Sequence, residues 1–252
     1  MVLKKGYIAL WAAFVLLVLA KMNPNSGVLP TLMVFLWSAV MSVYLMIKNG
    51  LPSGKGIIIS AVLTGLVLFS GLTAHMNGNF GTVLFTSTTL LSSLAVISVS
   101  EKNEDVKLLR AADAKNILLS LLIGAAVAVP LILINTYFMS QNGIIEPSFG
   151  IDKIIMAIHP GIAEDMAFRA VFMAFCVYIS DGKMTKGQTV SMYIMMTIPH
   201  GLWHGNMDFF SCIMAAVIFG IPFALLQRKR DVTSAMFSHF LVDAVRFVLF
   251  GG

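Results

Sequence analysis

The chain has 252 residues, 58% of them hydrophobic and only 12% charged, with a mean hydropathy of +0.88. A soluble domain is about a quarter charged and about half apolar, so this composition excludes an ordinary soluble domain and describes one integral-membrane domain over residues 1–252. The net charge of +5 comes without any basic patch interleaved with aromatics, which argues against a nucleic-acid partner.

Apolar segments run over 7–20, 28–47, 57–74, 80–100, 117–138, roughly 154–180, 188–203, 208–227 and 233–250. Most approach the ~20 residues that cross a hydrocarbon core. The expected fold is therefore an all-α, polytopic transmembrane helical bundle of about eight membrane helices, with seven to nine as the range. The first segment, after Lys4 and Lys5, has no small-x-small cleavage site and reads as a signal anchor. The first and seventh segments are short, which suits a tilted, re-entrant or buried helix.

Counting alternate breaks, one side of the membrane holds thirteen Lys and Arg residues and the other only Lys21 and Lys153. By the positive-inside rule this places the N-terminus in the cytoplasm, with the plasma membrane of a prokaryote as the expected location. The longest inner break, "EKNEDVKLLRAADAKN" at 101–116, has a helical look and mixed charge, as expected of a solvated or interfacial connector. It separates N-terminal helices with a packing role (1–116) from a core over 117–252 that holds nearly all the ionisable groups, which the resemblance given below implies is catalytic. Pro130 and Pro222 are expected to kink their helices. Cys176 and Cys212 fall within apolar stretches and read as core residues.

The ionisable residues at membrane depth are Glu164, Asp165, Arg169, His200, His204, His239, Asp243 and Arg246, all after residue 150. Each costs at least ~2.5–3.5 kcal/mol on insertion scales, so such groups ordinarily face a cavity and mark function. Three spacings recur. Asp165 and Arg169 are i,i+4 and can pair, acid first. Glu164, about 100° away on an α-helix, lacks that partner, and His204, His239 and Asp243 on other helices are the candidates for it. His200 and His204 are again i,i+4, as are His239 and Asp243. His159 and Asp208 sit near segment ends; His159 and the loop residue His75 are read as having no function, and Arg246 as snorkelling.

"AEDMAFR", "HGLWH" and "SHFLVD" resemble the three motifs of the CAAX-protease and bacteriocin-processing (Abi) membrane family, in order and on separate apolar helices over about 155–245. The resemblance implies an intramembrane glutamate endopeptidase acting on a prenylated C-terminus or a leader or bacteriocin-type peptide. It gives Glu164 as the base that activates water with His204, His239 and Asp243 as the oxyanion site, and Arg169 with Asp165 as positioning groups. It departs from the family pattern in Asp165 for Glu, His200 for Phe and Ala170 for Gly. His200 and His204 together with Glu164 would also suit zinc, whereas the resemblance implies no metal and no other cofactor. Membrane lipids and a peptide or prenylated-protein substrate are the expected partners.

Three other readings compete with an endopeptidase. A non-catalytic immunity or scaffold protein would keep the fold without the chemistry. A proton-coupled transporter would use Glu, His and Asp as a relay, but lacks paired broken helices in the two halves. An aspartyl peptidase on Asp165 and Asp243 would leave the histidines without a role. The zinc motif His-Glu-x-x-His is absent, because position 201 is Gly.

Overall fold

The computed structural model describes residues 5–73, 78–141, 147–204 and 207–251. Lys4 and His75 lie outside them. Each of the nine apolar segments becomes a helical rod, and the described residues contain no strand. The rods are α1 (Lys5–Met22), α2 (Leu29–Asn49), α3 (Gly54–Thr73), α4 (Gly78–Ser100) and α5 (Ala114–Ser140), followed by four that carry the site. The sixth is composite: α6 (Ile151–His159), a π-helical stretch π1 (Pro160–Ala170) and α7 (Val171–Ile179). Then come α8 (Lys186–Leu202), a second composite rod of α9 (Phe209–Ala215), π2 (Ala216–Gly220) and α10 (Ile221–Lys229), and α11 (Val232–Phe250). Among the described residues, seven helices are long and apolar enough to cross a membrane. The two rods outside that set are the charged rod through π1 and α8, which is 17 residues long. The first is set apart by Glu164, Asp165 and Arg169, the second by its length.

Side chains and backbone geometry set the ends. Asp113, Thr185, Asp208 and Asp231 cap α5, α8, α9 and α11 by accepting from the amide three residues on. Thr185 and Gln188 form a reciprocal capping box. The helix continues through Pro130 in α5, whereas Pro222 follows directly on π2, whose wider turns precede its ring.

Packing converges on the rod through π1, which lies among α4, α11, α8 and α2. Close approach needs small residues, as expected where lipid supplies no hydrophobic drive between helices. A Cβ on Gly161 would stand 2.9 Å from Phe240 Cβ, so α11 runs hard against π1. A Cβ on Gly124 would stand 2.6 Å from the Ser234 carbonyl, which seats α5 on α11.

Residues 101–113 form irregular chain, neither helical nor freely solvated. Val106 is fully buried, and Arg228 donates to the Asp105 carbonyl (3.0 Å) and carboxylate (2.9 Å). The Val232 and Thr233 amides donate to the carbonyls of Lys107 (2.9 Å) and Leu108 (3.0 Å). Most charged side chains of this segment remain exposed; Asp105 pairs with Arg228 at the basic end of α10, and the backbone is tied to the start of α11.

Candidate active site

Arg169 is the hub. Its side chain is fully buried, and its three guanidinium nitrogens face three different groups. Nε donates to Asp165 Oδ1 one turn back. Nη1 lies 3.0 Å from His200 Nδ1, and Nη2 lies 2.7 Å from His239 Nδ1. A guanidinium can only donate, so we assign both Nδ1 atoms as acceptors. Each neutral imidazole then carries its proton on Nε2. His200 Nε2–H donates to Glu164 Oε2 at 2.6 Å. His239 Nε2 lies 3.3 Å from Asp243 Oδ2 and 3.9 Å from Glu164 Oε2. One buried cation thus turns one N–H donor onto Glu164 and a second into the gap between Glu164 and Asp243.

This differs from the sequence reading in four respects. Glu164 finds its direct partner in His200, which was not among the candidates. Residues 160–170 are π-helical, so each residue turns less than the ~100° of an α-helix and the face arithmetic changes. His204 lies beyond the end of α8 at Leu202, so the turn after the helix, and no shared face, brings its ring to 5.7 Å from that of His200. Arg246, 36% exposed, has partners on its own helix. It folds back on Asp243 (Nε to Oδ1 3.1 Å) and over the Phe247 ring at 4.4 Å.

His204 is held by its backbone and its neighbour. Its carbonyl accepts from Lys21 Nζ at 2.6 Å, the Trp203 carbonyl accepts from Thr31 Oγ1 at 2.7 Å, and its ring lies 4.5 Å from the Trp203 ring. The imidazole itself has no hydrogen-bond partner among the described residues. Trp203 belongs to an aromatic cluster with Phe35, Phe85 and Phe168, and His159 is buried at its edge, 4.5 Å from Phe85. Phe223 was missed in the sequence: the Arg169 guanidinium lies 5.1 Å over its ring, and the His239 ring stacks at 4.9 Å. Nothing in its local pattern distinguishes it from the other aromatics of an apolar helix. Asp208 stays outside the cluster as the α9 cap, where the hydroxyl and amide of Ser211 hold its carboxyl below the usual range. A cavity of about 880 Å³ lies away from the cluster, between α1, α2 and α7, with Asn49, Lys102, Asn103 and Asp181 at one end.

Ligand atoms of Glu164, His200 and His204 lie within 4.8 Å of one another, a donor set of the type zinc takes. A metal-bound histidine, however, ordinarily donates its other ring N–H to a carboxylate or carbonyl. The other nitrogen of His200 faces Arg169, so its Nε2 carries the proton and has no lone pair for a metal. As arranged, the residues do not fit zinc.

An all-α polytopic membrane protein with a convergent, buried Glu, Asp, Arg and His cluster is the class that fold and site define. Residues 146–245 match the family model described as type II CAAX prenyl endopeptidase Rce1-like. The match spans the rod through π1, α8, the second composite rod and most of α11, and it bears out the resemblance carried by the three motifs. It supports a membrane protease of the CAAX type. No curated protein and no solved structure matches the chain.

Proposed function

We propose that the protein is an intramembrane endopeptidase that hydrolyses a peptide bond near a prenylated C-terminus by a glutamate mechanism without a metal. The observation that carries this reading is the Arg169 clamp, which turns the Nε2 of His200 onto Glu164 and the Nε2 of His239 into the gap between Asp243 and Glu164. Glu164 takes a proton from a water as that water attacks the scissile carbonyl. His204, the imidazole without a partner, assists the water. Negative charge develops on the carbonyl oxygen, and His239 Nε2–H donates to it. Asp243, itself paired with Arg246, keeps the His239 ring turned into the gap. Protonated Glu164 then returns its proton to the leaving amine, and the carbon–nitrogen bond breaks.

Two of the three departures from the family pattern fit this scheme. Asp165, although shorter than Glu, reaches Arg169 directly, and His200 supplies the hydrogen bond to Glu164 that a Phe would not. The thirteen-to-two charge split supports a cytoplasmic N-terminus in a prokaryotic plasma membrane.

Purified protein in detergent should cleave a peptide carrying a prenylated cysteine, and excess chelator should leave the rate unchanged. Glu164→Gln should lower kcat by about 10²–10⁴, the range for a lost general base, with its thermal midpoint retained. If the wild type cleaves neither prenylated nor leader-type peptides, the non-catalytic immunity or scaffold reading replaces this one. Loss of activity in chelator, restored by zinc, would overturn the metal-free mechanism.

A further inference from the structure

The cavity of about 880 Å³ between α1, α2 and α7 takes no part in the chemistry above. Its volume is that of a small-molecule site, about 300–1,000 Å³. Residues 23–28 join α1 and α2 at the ends away from the basic side, and the cavity lies between the halves nearer to it. On α1 the small side chains of Ala9 and Ala13 leave room against Val40 and Met41 of α2 and Phe175 of α7. Ala9, Val40 and Tyr44 are exposed, so the cavity is open along its side to the hydrocarbon of the bilayer. What fills it in a membrane therefore comes from the lipid. From Asn49 to Trp37 the lining follows α2 for roughly 18 Å at ~1.5 Å per residue. One leaflet of a ~30 Å hydrocarbon core is about 15 Å deep.

Toward the basic side the lining becomes rich in donors. Lys102 Nζ gives one of its three protons to the Asn49 carbonyl and keeps two. Asn103 accepts the Asp105 amide at Oδ1 (2.9 Å), and its Nδ2 has no hydrogen-bond partner among the described residues. The hydroxyls of Tyr44 and Tyr178, whose rings meet edge to face at 6.4 Å, have none there either. Asp181, the acid among the lining residues, already has a partner. An ammonium, an amide N–H and two phenols suit an oxygen-rich anion, and an apolar shaft one leaflet deep suits a fatty chain. We propose that the cavity binds one phospholipid from the leaflet on the basic side, with an acyl chain between α1, α2 and α7 and its phosphate on Lys102 and Asn103. Because α7 continues directly from π1, the bound lipid braces the rod that carries Glu164 and Arg169.

The test uses the full chain in mild detergent, stripped of lipid and then given a phospholipid, a diacylglycerol of the same chains, or a prenylated-cysteine peptide. The phospholipid should raise the thermal midpoint and leave one lipid per chain in native mass spectra. The diacylglycerol, which lacks the phosphate, should bind about ten- to a hundredfold more weakly, the range for hydrogen bonds to a charged group. Lys102→Gln should reduce phospholipid affinity to that of the diacylglycerol. Lys55→Gln, which removes an exposed cation on the same side but off the cavity, should change nothing. Ala13→Phe should fill the shaft and abolish the retained lipid, and Ala9→Leu serves the same purpose if that variant unfolds. Equal binding of phospholipid and diacylglycerol, or an unaffected Lys102→Gln, overturns the phosphate site. Lipid retained by a cavity-filling variant is annular lipid only and overturns the cavity as its seat. Displacement of the phospholipid by the prenylated peptide at equal concentration makes the cavity a seat for a substrate tail and overturns the proposal too. Each readout is binding, so it stands whether or not the chain cleaves a peptide.

Discussion

The four N-terminal helices and the rods after them treat polarity in opposite ways. Inside α2 to α4 the polar groups are mainly Ser and Thr hydroxyls that bond back to carbonyls of their own helix, as Ser42 does to Ser38 (2.8 Å) and Thr64 to Ser60 (2.7 Å). In the later rods the polar groups are ionisable and bond across helices. The N-terminal helices nonetheless hold the site in place. Lys21 and Thr31 fix the carbonyls of His204 and Trp203, and Phe35 and Phe85 back Trp203 and Phe168. These four residues lie outside the segment matched by the family model, which begins at residue 146. Chemistry is concentrated in a short stretch of sequence, and the positioning of that chemistry is spread over the whole bundle.

The comparison is most exposed at Arg169. Arg169→Met leaves Asp165 buried and unpaired and should cost about 3–5 kcal/mol in detergent unfolding. Adding Asp165→Leu should recover most of that, and a single variant of full stability would show that the charges are not enclosed. A smaller effect is expected where the later rods touch most closely. A Cβ on Gly201 would stand 2.5 Å from the Cys212 carbonyl, so Gly201→Ala should cost about 1–3 kcal/mol. Gly65→Ala in α3, where a Cβ meets nothing within 4 Å, should be neutral or stabilising by up to about 1 kcal/mol. Thr31→Val tests the support from the N-terminal helices. It removes one hydrogen bond worth about 1 kcal/mol and should lower kcat several-fold through His204, while Thr31→Ser retains the rate. A Thr31→Val enzyme with unchanged kcat would show that these helices only pack.

The rods were legible in the sequence because lipid leaves few alternatives to a helix: every one of the nine apolar segments is helical, and the ends shift by only a few residues. The membership of the cluster was legible as well, since a charge at membrane depth needs a partner. Its wiring was not. That His200 and not His204 bonds Glu164 depends on where α8 stops. The geometry of Arg246 and Phe223 depends on how α11 and α10 meet π1, a tertiary fact with no local signature. The connector at 101–113 is not helical for a related reason: Asp105 pairs with Arg228, and its backbone bonds Asp231 and the start of α11, more than a hundred residues away.

The π-helical stretch also constrains how this chain can change. In Pro160–Ala170 the hydrogen-bond ladder takes in five residues per closure instead of four. A deletion of one residue there would let the ladder relax to ordinary α geometry. Everything before the deletion would then swing by about 100° relative to α7. Asp165 and Arg169 would survive as a pair only if the cut fell outside them, and α6 would present a new face to α3 and α11. The stretch behaves as a reading frame for side-chain direction: substitutions within it are tolerated or not one residue at a time, whereas a change in length would misdirect the whole half-rod.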